Sequence, residues 1–336
     1  MKQKRPTLND VADEAGVSLA TASIALNKSK RVHISQTTRD KVMEAANTLG
    51  YKPRAQQKSS AQLQPTKRVA YIVNHLDRDI SINAVNGARE TAWQHDYILH
   101  AMSYANDSEL KAALVDEVKK GDFSGIIIGS NVTREISLPE LPESIPTVLL
   151  NCYCKEKIEW PTILPADLIG AHQITQHLID KGYQRIAHIS GEEWMDASKQ
   201  RLDGYRRALV SNNHIIDEQL IVAGNWMFDE SYHQTLKLMQ LASPPDAIFA
   251  ATDEMAVGVY FALKELSLSI PEDVAVVGYD NTSLASHLVP SLTTMALPYY
   301  EMGQLAAETL LNLLAGQSLT FKNIKLEGKL IARNST

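Results

Sequence analysis

The stretch TLNDVADEAGVSLATASIALN, Thr7–Asn27, decides how the chain is read. Leu8, Val11, Ala12 and Ala15 recur at i, i+3, i+4 and i+7, one apolar stripe on a short helix that Thr7 can cap, with Asp10 in its first turn. Gly16 stops that helix, and Gly16-Val17-Ser18 is a three-residue turn into a second helix with Ser18 as its N-cap. Ala22, Ala25 and Leu26 face inward on this second helix, small enough for the two helices to cross closely. Leu19, Ala20, Thr21, Ser23, Ile24 and Asn27 are left facing outward, as on a helix that enters a major groove. A third helix follows Ser35, where Val42, Ala45, Ala46 and Leu49 repeat the stripe until Gly50 and Pro53 stop it. The pattern predicts a three-helix, helix-turn-helix head over residues 1–53.

Small three-helix bundles often carry such stripes without touching DNA, and charge separates the two cases. Residues 1–68 hold 13 Lys+Arg against 5 Asp+Glu, a net of +8, and residues 69–336 hold 20 against 34, a net of −14; together these give the −6 of the whole chain. An acidic protein with a basic head concentrates its positive field where phosphates would be neutralised.

Thr7-Leu8-Asn9-Asp10-Val11-Ala12, Ala15-Gly16-Val17-Ser18, Thr21, Ser23, Asn27, Thr38-Arg39 and Leu49-Gly50-Tyr51-Lys52-Pro53 resemble the head of the lactose repressor (LacI/GalR) family, and the likeness runs along nearly the whole chain. The resemblance implies DNA contacts from Thr7, Ser18, Leu19, Ala20, Thr21, Ser23, Ile24, Asn27, Arg39, Tyr51 and Arg54. Relatives often place hydrogen-bonding side chains where this chain has Leu19, Ala20 and Ile24, so base readout is expected to lean on thymine methyls and on Thr21, Ser23 and Asn27. Residues 54–68 are rich in Gln, Ser, Lys and Pro and read as a hinge or linker. In the family such a hinge wedges a leucine into the minor groove. Here Ser60 holds that position and Leu63 is the nearest leucine, so weak coupling between sensor and head is expected. The loop Lys28–Ile34 is also longer than the family pattern, which would shift phosphate contacts of the third helix.

A length of 336 residues implies two or three domains. The basic start, Met1–Pro6, runs into polar sequence with no apolar signal region, and no run approaches the ~18 apolar residues of a membrane span, so a cytoplasmic protein is expected. Cys152 and Cys154 cannot build a disulfide framework, and one Cys-x-Cys without a second pair predicts reduced thiols rather than zinc.

From residue 69 short apolar runs alternate with amphipathic helices. Val69–Val73, Ile98–Met102, Ile126–Ile128, Thr147–Leu150, Ile186–Ile189, Ala247–Ala251 and Val274–Val277 read as buried strands. Asn83–His95, Ser108–Lys120, Gly170–Lys181, Arg201–Ser211 and Glu254–Leu266 read as helices covering parallel sheets. The fold class is α/β, with more strands than one open sheet holds. The resemblance implies a two-lobed, periplasmic-binding-protein-like sensor over 69–334, its chain crossing near Pro165, Pro298 and Glu327. The N-lobe is then about 69–165 and 298–326, and the C-lobe about 166–297 and 327–334. Leu297-Pro298 stands where the family usually has Gln-Pro, a helix Tyr299–Leu314 follows, and the absence of leucine heptads beyond it predicts a homodimer rather than a tetramer.

No catalytic constellation is present: no G-x-S-x-G, no H-E-x-x-H, no phosphate loop and no G-x-G-x-x-G after the first strand. His172 and His177, five apart on one helix, do not share a face for metal binding. An enzyme, a cofactor and a metal are therefore not expected, and what remains is an effector cleft between lobes. By resemblance Arg201 would hold effector hydroxyls or a carboxylate, Asp280 would accept from effector hydroxyls, Trp226 would cover a ring face, and Thr252-Asp253 would line the back of the pocket, with Asn151 and Ser130 at strand ends as further candidates. Structural roles compete for these residues: Asp253 as a helix cap, Trp226 as core, Arg201 paired with Asp203 or Glu230. Met195 and Ala197 replace the arginine and threonine of a purine-binding member, so a sugar or sugar phosphate is favoured. Arg201→Ala is expected to weaken effector binding while leaving the protein folded and able to bind DNA.

The chain is thus expected to be a homodimeric transcriptional repressor that binds near-palindromic double-stranded operator DNA and responds to a small-molecule effector. The alternative, a solute-binding receptor of the same two-lobed fold, would need a signal peptide and no basic head.

Overall fold

The computed structural model describes residues 7–26, 35–49, 51, 67–77, 79–137, 141, 144–157, 159–319 and 321–336. Contacts divide the chain into two compact units, Met1–Thr66 and Lys67–Thr336.

In the first unit α1 (Leu8–Glu14), α2 (Leu19–Leu26) and α3 (Gln36–Leu49) pack around Val11, Ala12, Ala22, Ala25, Val42, Ala45 and Ala46. Thr7 and Asp10 form a reciprocal capping box, with Thr7 N–H donating to Asp10 Oδ2 at 2.6 Å and Asp10 N–H to Thr7 Oγ1 at 3.4 Å. Gly16 takes φ +62° in the turn, a conformation glycine adopts without a Cβ penalty. Ser18 Oγ then accepts from Thr21 N–H at 3.1 Å, and Ser35 Oγ from Thr38 N–H at 3.1 Å, so each later helix also starts on a hydroxyl. Residues 52–66 lie outside the described residues, and with them the Ser60 and Leu63 readings. So does the loop 28–34. The linker reading ran to residue 68, but Lys67 and Arg68 already belong to the first strand.

The second unit carries two six-stranded sheets. The first has the order β11-β5-β4-β3-β1-β2, built from β1 (Lys67–Val73), β2 (Tyr97–Ser103), β3 (Phe123–Glu135), β4 (Thr147–Tyr153), β5 (Thr162–Pro165) and β11 (Asn323–Leu326), all paired in parallel. The second has the order β12-β10-β9-β8-β6-β7, from β6 (Ile186–Ser190), β7 (Ile221–Ala223), β8 (Ala247–Ala250), β9 (Ala275–Tyr279), β10 (Thr293–Ala296) and β12 (Lys329–Ile331), where only β12 is antiparallel. Alternation along β1 splits its side chains between two cores: Val69, Tyr71 and Val73 pack toward α4 (Asp79–Gln94) and α11 (Tyr299–Leu314), while Ala70 and Ile72 pack toward α5 (Ser108–Lys120). In the second sheet Phe249 and Val277 face α6 (Asp167–Asp180) and α7 (Asp196–Ser211). Ile248 and Val276 face α8 (Phe228–Leu238), α9 (Asp253–Glu265) and, through Ala285, the short α10 (Ser283–His287). Helices α4 and α11 touch so closely that a Cβ on Gly303 would stand 2.0 Å from the Ala84 carbonyl oxygen. The chain passes between sheets at three places, from β5 to α6, from β10 to α11 and from β11 to β12.

Candidate functional site

Among the described side chains of the head, the hydroxyls of Thr7, Ser18 and Thr21 are engaged locally. Thr7 serves the α1 cap, Ser18 and Thr21 share a hydroxyl–hydroxyl bond at 2.9 Å, and Arg39 Nη1 lies 3.5 Å from the Ala25 carbonyl. Tyr51 packs against the head's core rather than standing free. The side chains of Leu19, Ala20, Ser23 and Ile24, and all of Asn27 and Arg54, lie outside the described residues.

In the second unit, parallel strands aim their carboxyl ends at one crevice, where side chains from several turns converge. A cleft of about 390 Å³ opens there, within the range of small-molecule sites. One wall comes from the first sheet: Asn74 and His75 after β1, and Ser130, Asn131 and Arg134 on β3. The other comes from the second: Met195 and Arg201 at α7, Trp226 before α8, Thr252 before α9 and Asp280 after β9. Ser283 N–H donates to Asp79 Oδ2 across the cleft at 2.8 Å.

Arg201 is the fixed point of this second wall and is only 4 % exposed. Its Nε donates to Asp167 Oδ1 at 2.9 Å, its Nη1 to the Ala251 carbonyl at 2.5 Å, and its guanidinium lies 3.9 Å from the Tyr279 ring centroid. The structural alternative for Arg201, a pairing with Asp203 or Glu230, does not form: Asp167, delivered by the β5-to-α6 crossing, is its partner. Burial works against its charge, yet Asp167 and Asp280 outweigh this and hold its pKa above the usual arginine value.

Asp280 sits within ion-pair range of Arg201 Nη2, at 3.5 Å, but its Oδ1 has no directed hydrogen bond. Burial pushes its carboxyl up to about 7, against the pull of Arg201. Its φ of +101° and the +64° of Trp226 place both in backbone conformations that L-residues rarely adopt. Trp226 lies flat over Gly191, where a Cβ would stand 2.0 Å from the indole, and its Nε1 donates to Met195 Sδ at 3.2 Å.

Two candidates do not line the cleft. Asp253 is fully buried, accepting from Thr294 Oγ1 at 2.5 Å and from Thr282 N–H at 2.6 Å, which ties α9 to the turn after β9. Burial raises its carboxyl to about 6. Asn151 is consumed by Thr133 Oγ1 at 2.6 Å and by its own donation to the Ser130 carbonyl at 2.9 Å. Ser130, Thr252, Trp226, Arg201 and Asp280 do line it. Asn131, Arg134 and Asp79 were not legible as site residues because each sits in polar sequence with no spacing signal. Cys152 and Cys154 are free and buried, and no group of three metal-ligating side chains occurs among the described residues.

Residues 7–54 match the family model described as bacterial regulatory proteins, lacI family, and residues 175–336 match that of a periplasmic binding protein-like domain. The HTH-type transcriptional repressor CytR of Escherichia coli (strain K12) is 31% identical over 331 residues, covering 98% of this chain and 96% of CytR. The ribose operon repressor of the same strain is 30% identical, covering 98% of this chain and 99% of that repressor. Among solved structures, the regulator CelR in complex with cellobiose superposes with a TM-score of 0.71 at 28% identity, over 99% of this chain and 100% of that one. The lac repressor dimer bound to operator and the anti-inducer ONPF gives 0.68 at 27% identity, over 99% of each chain. With a lacI-type head, a two-sheet sensor and repressors similar along its whole length, the chain belongs to the lacI family of bacterial regulatory proteins.

Proposed function

We propose that the protein is a sequence-specific DNA-binding repressor whose operator affinity is set by a carbohydrate held between the two sheets. The observation that carries the effector half is the cleft itself: an indole laid flat on one wall, beside a guanidinium and a carboxylate that are both buried and both present polar groups to a ligand. An aromatic face suits the apolar face of a sugar ring, and the polar pair suits hydroxyls. The DNA half rests on the basic head and its family match. CelR, solved with cellobiose, and the lac repressor, solved as a dimer on operator, support a sugar effector and a dimer on near-palindromic DNA.

The protein acts by binding rather than by catalysis, as its regulator relatives do, and works in the cytoplasm; no described helix is long and apolar enough to cross a membrane. A solute receptor of the same fold would not need the head.

Titrating salt against operator-length duplex DNA tests this directly. Affinity of the full chain should fall linearly with salt on logarithmic axes, and residues 67–336 alone should not bind. Equal binding by that fragment would overturn the reading.

A further inference from the structure

Among the described residues five buried side-chain nitrogen or oxygen atoms lack a hydrogen-bond partner, and three of them belong to residues that line the cleft: Asn131 Nδ2, Arg134 Nε and Asp280 Oδ1. Unsatisfied buried polar atoms are costly and rare, so their concentration in one cavity points to a ligand that completes them.

The three divide by wall and by sign. Asp280, on the second-sheet wall, offers an acceptor; Asn131 and Arg134, on the first-sheet wall, offer donors. Asn131 is 7% exposed, with its Oδ1 held by Ser81 Oγ at 3.0 Å. Arg134 has only one hydrogen bond among the described residues, from Nη2 to Tyr104 Oη at 3.4 Å, and no carboxylate there lies within ion-pair range of it. A guanidinium has donors only, so Arg134 sets the sign of its wall. Arg201 cannot supply the same service, because Asp167 and Asp280 already offset its single charge. Of the acids that line the cleft, Asp79 is engaged by Ser283 and Glu254 stands in the first turn of α9.

We infer that the effector is an anionic sugar, a carbohydrate carrying one carboxylate or phosphate: Arg134 and Asn131 receive the anion, and ring hydroxyls donate to Asp280 on the opposite wall. The inference rests on the proposal that this cleft is the effector site, and it makes Arg134 the residue that sets specificity.

Isothermal titration of the full-length protein with glucose, glucuronate and glucose 6-phosphate, and with ribose and ribose 5-phosphate, tests it. An anionic member should bind at least ~10-fold tighter than its neutral parent, about what one charge-assisted contact supplies. Which of glucuronate and glucose 6-phosphate gains more identifies the anion. R134Q should abolish most of that advantage, R134K, which keeps the charge but not the planar fork, should retain part of it, and D280N should weaken both members alike and leave their ratio intact. A ratio unmoved by R134Q overturns the inference. Binding of neutral sugars alone also overturns it but leaves the proposed function standing, whereas failure of every sugar removes both the inference and the carbohydrate half of the proposed function.

Discussion

The head and the sensor are held together by different means. Among the described residues the buried apolar side chains of the head are alanine or valine, while the sensor buries Tyr71, Tyr205, Phe249 and Tyr279 together with Arg201, Asp167 and Asp253. Small side chains let α1, α2 and α3 approach closely, as a compact reading head needs, but they remove little apolar area from water. The sensor buries aromatic side chains around a charged cluster whose members, Arg201, Asp167 and Asp280, are paired with one another. Among the described residues, large buried side chains and buried charges belong to the sensor and small buried side chains to the head.

The largest test of this contrast is Arg201→Ala. The sequence suggested a ligand-only defect, but in the structure the change strands the fully buried Asp167 carboxylate, so the sensor should lose ~3–5 kcal/mol. Calorimetry should show the sensor transition falling and the head's unmoved; an unshifted sensor would break the comparison. Val42→Ala, at a fully buried head position, should cost about 2 kcal/mol, a large share of the ~2–7 kcal/mol expected for a unit so small. Hydrogen exchange in α1–α3 should accelerate and DNA affinity fall, while exchange in the sensor sheets stays unchanged.

The smallest effect is on pH. Asp280 in the folded protein titrates at about 7, above its unfolded value of 3.8, so the native state holds the extra proton and this contribution to stability is lost as pH rises through 7. Asp253, raised to about 6, acts in the same direction at lower pH. His188, lowered by burial to about 3, acts oppositely, its contribution lost as pH falls below 6.5. From pH 6.5 to 8 the Asp280 contribution therefore dominates, and the sensor should lose about 1 kcal/mol in wild type but not in D280N. Equal slopes in the two proteins would remove Asp280 from the buried cluster.

Much of this architecture was readable because its elements are amphipathic. The helices Ser108–Lys120 and Tyr299–Leu314 have the bounds that their apolar period gives. Helix α8 was not readable because its inward face is Ser231, Thr235 and Leu238: Thr235 Oγ1 bonds back to the Ser231 carbonyl at 2.7 Å, so hydroxyls stand where a stripe would be. The apolar run marks only Ile126–Ile128 of strand β3, but the strand continues through polar residues to Glu135 after a register shift against β4. That extension is what carries Arg134 to the cleft. Asp167 escaped for another reason: it stands 34 positions from Arg201, beyond the reach of any local pairing rule.

Gly191 gives the cleft a route to new specificity. The indole of Trp226 rests where a side chain at 191 would have to be, so any larger residue there must displace the ring that lines the cleft, and with it the contact of that ring with the Arg201 guanidinium. One substitution at Gly191 would thus reshape the wall that carries Trp226 and Arg201, while Arg134 belongs to the opposite wall.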